Sequence, residues 1–99
     1  EAARFLAQRA LTEGGPDDTK RLDFVARRLL ARPLKPQERM ILELGLSDLE
    51  AHYGDHPTDA RALLAVGEAK ANPAIASEKL AAWTMLVNQM MNLDEVLNQ

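Results

Sequence analysis

The stretch LAAWTMLVNQMMNL, from Leu80 to Leu93, decides the fold, because it is the longest run without a charged residue in a chain that is 27% charged. Drawn as a helix, it carries apolar residues most of the way round, which is typical of a helix buried by its neighbours. Its polar residues Thr84, Asn88 and Asn92 recur every four positions as one narrow stripe. We predict a central helix whose stripe either bonds backbone carbonyls and loop ends within the domain or faces an interface, since an unpaired buried polar group costs about 1 to 3 kcal/mol.

The composition favours helices along the whole chain. The sequence has 99 residues, of which 46% are hydrophobic and only 4% aromatic, so the core must be built from Leu, Ala, Met and Val. Ala and Leu are strong helix formers, and the β-branched residues that favour strands never alternate in a run. We therefore predict an all-α fold, a compact bundle of about five helices around the buried C-terminal helix, in a single domain spanning 1–99.

Caps and breakers divide the rest of the chain into four earlier helices. Gly14-Gly15-Pro16 ends the first helix, and Asp17 is a natural N-cap for the second. Gly45 lies in the middle of the third helix, which indicates a close helix crossing or a tolerated defect. The fifth helix is capped at Asn72-Pro73 or at Ser77, and the sequence does not choose between them. The predicted ranges of the first four helices are 2–13, 17–31, 36–53 and 57–67.

Five further positions are predicted to be structural. Arg32 and Glu38 flank a double-proline turn in which Pro36 suits the first position of the third helix. Arg32 should bond nearby carbonyls or a carboxylate and fix the angle between helices two and three, because its planar fork satisfies several acceptors. Trp83 should be buried against helices one to three, and Asp94 should cap a last helical turn.

The composition also restricts the function. The absence of cysteine excludes a disulfide framework, a thiolate nucleophile and zinc-thiolate sites. A membrane span needs about 20 apolar residues, so the central run is predicted to be a core helix and no membrane span is expected. The formal net charge of −3 does not resemble that of a nucleic-acid-binding tail.

Candidate catalytic and metal-binding residues have simpler interpretations. His52 and His56 have the spacing of two metal ligands on one helix, but Gly54 and Pro57 should break that helix and leave both rings in an exposed polar turn. The methionines are interpreted as core residues rather than as ligands of a soft metal ion. Asp94 and the next residue point about 100° apart on a helix, which suits a general acid and base poorly. We predict no catalytic, metal-binding or cofactor-binding residue.

A helix-turn-helix DNA-binding domain is an alternative. The segment 35–42, KPQERMIL, is similar to the opening helix of that motif in response regulators. A recognition helix should present basic and amide side chains to the bases, yet the next helix offers only Arg61 among small apolar residues. We therefore expect no nucleic-acid partner.

Four segments taken together resemble a known family. They are EAARFLAQRAL, RLDFVARRLLARPLKPQE, DARALLAVGE and LAAWTMLVNQMMNLDE. Their order and spacing are similar to the C-terminal portion of the large planctomycete-type proteins catalogued as domain of unknown function 1553, which often carry a cytochrome-c-like domain. The most specific pieces are Arg32-x-x-x-Pro36-x-Glu38 and the ending at 92–95, Asn-Leu-Asp-Glu. The family usually has an Asp-Pro pair where Ala76-Ser77 stand here.

The resemblance implies a helical end-domain of a long, exported or cell-envelope multidomain protein whose biochemical activity is not established. We therefore predict a non-catalytic helical packing or interaction module at the C-terminus of that protein. Its partners would be upstream domains of the same protein or another subunit, and the haem-binding Cys-x-x-Cys-His motif of the family's other domain is absent. A third possibility is part of an enzyme whose active site lies mostly elsewhere.

A module of this kind should keep an exposed apolar patch, because contacts between domains cover about 600 to 1,500 Å². We expect at least one apolar candidate of this patch to be exposed together with Asn88 or Asn92, whereas a deep polar pocket at these asparagines and Asp94 would indicate a ligand site. The candidate interface residues are Phe5, Asn88, Met90, Asn92 and Val96.

Overall fold

Five helices account for most of residues 2–65 and 74–92, the parts of the chain that the computed structural model describes. No strand occurs in these two ranges. The prediction of an all-α fold with a packed C-terminal helix is therefore confirmed. The helices are α1 (Ala2–Glu13), α2 (Asp18–Leu29), α3 (Pro36–Asp55), α4 (Pro57–Leu64) and α5 (Ser77–Met91).

Helix α5 lies at the centre of the bundle. Eight of its fifteen residues are buried, and α1, α3 and α4 all pack against it, whereas α2 reaches it less. The Trp83 side chain is 0% exposed, which confirms its predicted burial. Within the described residues, its indole N–H meets no hydrogen-bond acceptor.

Small residues bring α1 close to the centre. Ala3, Ala7 and Ala10 lie on the buried face of α1, and none of them is more than 5% exposed. On α2, Leu22 and Val25 are completely buried. Each of the two helices therefore lines the core with one face, as expected for amphipathic helices.

The turn between α1 and α2 depends on glycine and on one aspartate. A Cβ atom on Gly14 would lie 2.5 Å from the carbonyl oxygen of Ala10, so a larger residue would force the backbone to shift. Gly15 has a φ of 113°, which L side chains rarely adopt. The carboxylate of Asp17 accepts a hydrogen bond of 2.9 Å from the backbone N–H of Lys20, so the predicted N-cap is confirmed.

The double-proline turn between α2 and α3 is fixed by one ion pair. Two nitrogens of Arg32 donate to the two carboxylate oxygens of Glu38, each at 2.8 Å. The backbone N–H of Lys35 donates to the same carboxylate at 2.8 Å, and Pro36 opens α3 as predicted. Hydrogen bonds from Arg32 hold the pKa of Glu38 well below its usual 4.5, at about 2. The predicted bonding of Arg32 to a nearby carboxylate is confirmed.

Several helix limits differ from the prediction. Helix α2 stops at Leu29 rather than at Ala31, because Ala31 has a positive φ of 56°. Helix α3 continues through Gly54 to Asp55, since one glycine weakens a helix without ending it. Helix α5 begins at Ser77. Its N-cap residue is therefore Ala76 and not Ser77, which was one of the two predicted caps. The other alternative, at 72–73, and residues 66 and 67 of the predicted fourth helix lie outside the described residues.

Candidate functional site

Phe5 is the predicted interface residue that the structure exposes most clearly. Its side chain is 65% exposed on α1, beside the buried face formed by Ala3 and Ala7. An exposed large aromatic ring loses the favourable free energy that burial would give it, about 2 to 3 kcal/mol for a residue of this size. Phe5 is not a member of the buried core, and most of its ring is accessible to a partner.

The polar stripe of α5 divides along its length. Thr84 is buried, and its hydroxyl donates to the carbonyl oxygen of Leu80 at 2.7 Å. Asn88 and Asn92 are exposed, and the amide of Asn92 donates to the carbonyl oxygen of Asn88 at 3.0 Å. The predicted bonding within the domain is therefore found at the buried end of the stripe. The other end faces outward, and an interface there stays a prediction.

Met90 is a correction to the predicted interface. Its side chain is 0% exposed, so it belongs to the core rather than to a docking surface. The neighbouring Met91 is 43% exposed and takes its place next to the two asparagines. Successive side chains on a helix point about 100° apart, so the predicted interface residue was wrong by one position. Val96 and Asp94 lie outside the described residues.

A shallow cleft lies where α1, α4 and α5 meet. It has a volume of about 280 Å³ and mixes apolar walls with polar groups from Arg4, Thr84 and Asn88. Arg4 is only 6% exposed, and its guanidinium donates to the carbonyl oxygen of Leu64 at 3.3 Å. Leu63 and Met91 supply the apolar part. The cleft includes Asn88 but not Asn92, so it is not the deep pocket at both asparagines that would indicate a ligand site.

The outer side of α3 carries apolar residues that the sequence analysis missed. Met40 and Leu44 are each 63% exposed, and Ile41 is 43% exposed. Leu42 and Leu46 of the same helix are buried, on the side that packs against α5. The interpretation of Met40 and Met91 as core residues is therefore wrong. The signal was available, since Met40 and Leu44 are one turn apart on the side opposite the core stripe.

The two histidines form a small surface cluster. The rings of His52 and His56 stack with their centroids 4.6 Å apart, and both are exposed. His52 Nε2 lies 3.7 Å from a carboxylate oxygen of Asp59, and His56 Nδ1 lies 2.8 Å from the carbonyl oxygen of His52. Residues 2–65 and 74–92 contain no group of three or more side chains able to hold a metal ion. The cluster is a polar helix junction.

The basic face of α2 borders a second hollow. The guanidinium of Arg28 lies 3.6 Å from the ring centroid of Phe24, a stacked cation-π contact. Arg27, Lys20 and Asp23 also line this hollow, which has a volume of about 280 Å³. Asp23 forms an ion pair with Arg39, which partly neutralises the charge there. The arrangement gives α2 a basic outer surface with one covered aromatic ring.

Comparisons with known proteins add no relative: no family model, no curated protein and no solved structure matches the chain. None of the helices in the described ranges is long and apolar enough to cross a membrane.

Proposed function

We propose that this domain is a non-catalytic helical packing module at the end of a larger, exported protein, the context that its resemblance to the planctomycete-type family implies. One observation supports the proposal most directly. Large apolar side chains are exposed on three helices, at Phe5, at Met40 and Leu44, and at Met91, while α5 is enclosed by the bundle. Neighbouring exposed apolar side chains mark a surface that binds another protein, and Met40, Ile41 and Leu44 lie within about one turn of α3.

The distribution of these side chains also favours binding over chemistry. They lie on the outer surfaces of regular helices, which are rigid elements suited to hold a docking surface in place. The largest exposed fractions are found on two different helices, at Phe5 on α1 and at Met40 and Leu44 on α3. The partners would be the upstream domains of the same protein or another subunit.

Site-specific photo-crosslinking in cells that express the protein tests the proposal. A photoreactive phenylalanine analogue is placed at Phe5 in one variant and at Leu44 in another. A third variant carries it at Thr12, an exposed residue whose hydroxyl bonds its own helix, as the matched control. We expect discrete crosslinked products from at least one of the apolar positions and none from Thr12. Equal background at all three positions would overturn the proposal.

Titration with duplex DNA separates the module from the helix-turn-helix alternative. Helix α4 would be the recognition helix, yet it has eight residues and Arg61 is its only cation. The module predicts no specific binding at low salt. Binding that weakens steeply as the salt concentration rises would support the DNA-binding alternative instead, because it reports the release of counterions from phosphates.

A further inference from the structure

Helix α3 carries a regular seam on the side that faces away from the bundle. Its members are separated by three, four, three and four residues, which is the spacing of the a and d positions in a coiled coil. Every member is exposed. We call this the outer seam, and it consists of Gln37, Met40, Leu44, Ser47 and Ala51.

The outer seam is suited to a second helix. Met40 and Leu44 supply large apolar side chains near its middle, each 63% exposed. Ser47 and Ala51 continue the same line with small side chains, which let a partner backbone come close. Helix α3 has twenty residues and is therefore long enough to offer more than two heptads of contact. The seam has the length and spacing of half a coiled coil.

Carboxylates border the seam on both sides. Glu43 and Glu50 occupy the g positions of this register, and Asp48 and Asp55 occupy e positions. Of these, Glu43, Asp48 and Asp55 are exposed, and none of the three has an ion pair with any other described residue. The other charged side chains of α3 point elsewhere, with Glu38 bound by Arg32 and Arg39 bound by Asp23. The open charge beside the seam is acidic.

This charge pattern identifies the partner's chemistry. Residues at e and g form the ion pairs that set partner choice in coiled coils. A parallel pairing of two α3 helices would place Glu43 against Asp48, and an antiparallel pairing would place each acidic flank against its own copy. Like charges repel in both arrangements, so a second copy of this chain is disfavoured. A helix with Lys or Arg at e and g is attracted in both.

The described part of the chain does not itself offer such a helix. Helix α2 has a basic outer face, but its apolar residues Leu22, Val25 and Ala26 are fully buried in the bundle. It has no exposed apolar stripe left for the seam of another copy.

We propose that the outer seam docks a basic amphipathic helix of another polypeptide segment, with apolar residues at its a and d positions and Lys or Arg at e and g. This inference rests on the proposed function, since it assigns one surface and one kind of partner to the packing module. The apolar positions supply the contact, and the acidic flanks select the partner.

Two labelled peptides of about three heptads test the inference by fluorescence anisotropy. Both carry Leu at a and d, one with Lys and the other with Glu at e and g. We expect the Lys peptide to bind about tenfold more tightly, because several exposed charge pairs change sign together. The preference should shrink at high salt, where exposed charges are screened. Equal binding of both peptides, or no binding of either, would overturn the inference.

Three variants locate the binding site. Leu44→Ser should weaken the Lys peptide about tenfold, since it removes an apolar anchor from the middle of the seam. The double variant Glu43→Lys, Asp48→Lys should reverse the preference and favour the Glu peptide. Phe5→Ser is the matched control, an exposed apolar residue on another helix, and should bind like the unaltered protein. A reversal that fails to occur in the double variant would place the binding elsewhere and overturn the inference.

Two further results separate this inference from the proposed function. We expect sedimentation of the protein alone to show a monomer. A dimer that dissociates in the Leu44→Ser variant would mean that a second copy occupies the seam. Crosslinked products from the analogue at Phe5 together with none at Leu44 would refute the docking role of the seam, yet they would leave the packing module standing.

Discussion

Helices α5 and α3 are both rich in apolar residues, but a larger share of α5 than of α3 is buried in the bundle. Helix α5 buries eight of its fifteen residues, including Trp83, and is enclosed by three neighbours. Helix α3 buries four of its twenty residues and leaves Met40 and Leu44 in the open on its far side. Apolar residues around a helix therefore do not by themselves mean that the domain's own core covers them. On α3 they form two stripes, of which one meets α5 and the other meets no described part of the chain.

The largest contrast between the two helices should appear when one large side chain is removed from each. We expect Trp83→Ala to lower the free energy of unfolding by about 3 to 5 kcal/mol, because it opens a cavity at the centre of the bundle. Leu44→Ala on the outer seam should change it by less than about 0.5 kcal/mol. Urea unfolding followed by circular dichroism measures both. Similar losses in the two variants would show that the seam is part of the core.

The ion pair at the start of α3 gives the next effect. We expect Glu38→Gln to lower the free energy of unfolding by about 2 kcal/mol at neutral pH, because the charged hydrogen bonds from Arg32 and from the backbone of Lys35 are weakened together. This loss would show that the inner side of α3 stabilises the fold, in contrast to its outer side. Asp48→Asn, which removes an exposed carboxylate of the same helix that has no described partner, is the control and should be nearly neutral.

The same carboxylate should produce a defined pH dependence. Its pKa is about 2 in the folded protein, below the usual 4.5, so the unfolded chain takes up this proton first. The stabilisation is complete above about pH 4.5 and is lost as the pH falls toward about 2. The free energies of unfolding of the unaltered protein and of Glu38→Gln should therefore differ most near the top of this pH range. A difference that stays constant down to pH 2 would contradict the assignment.

Two glycines distinguish a turn that requires glycine from a helix that tolerates it. Gly14→Ala should destabilise by about 1 kcal/mol or more, because the new Cβ atom meets backbone at 2.5 Å. On the inner side of α3, a Cβ on Gly45 meets only the end of the flexible Gln89 side chain, at 3.2 Å. Gly45→Ala should therefore be neutral or stabilise by up to about 1 kcal/mol. Thermal melts compare them, and a large loss at Gly45 would mean that α3 and α5 need a closer crossing there.

Removal of apolar area from the outer seam should have the smallest effect on folding. Met40→Ser and Leu44→Ser in one protein should leave the midpoint of thermal unfolding within a few degrees of that of the unaltered chain, since both side chains are 63% exposed. Binding of the fluorescent apolar dye ANS should fall in the same variant. An unchanged dye signal would mean that the dye binds elsewhere and that the seam is not the main exposed apolar surface.

Local signals in the sequence predicted the helices well. The first helix, the Asp17 cap and the Arg32 turn follow from residues close together in the chain, where capping and turn chemistry act over one helical turn. The burial of Trp83 followed from its size in a core poor in aromatic residues. The limits of α2 and α3 were harder, because a positive φ at Ala31 and the tolerance of Gly54 within α3 depend on how neighbouring elements pack.

The surface was the less predictable part. Helical spacing shows which residues share a face, but it does not show which of two apolar faces the neighbours will cover. Met90 was assigned to the surface and lies in the core, while Met40 was assigned to the core and lies on the surface. The heptad spacing of the outer seam was present in the sequence. It could be interpreted as a docking surface only after the structure showed that Leu42 and Leu46 are buried and Leu44 is exposed.

Methyl NMR of the protein with the Lys-bearing peptide tests the central claim most directly, because it reports which side chains the partner covers. The methyl groups of Met40, Ile41 and Leu44 should shift and broaden as peptide is added, and those of Leu86 and Met90 in the core should stay in place. Met91, exposed on α5, is the internal control and should also remain unchanged. Shifts concentrated at Met91, or spread evenly over the surface methyl groups, would contradict the assignment of α3 as the docking helix.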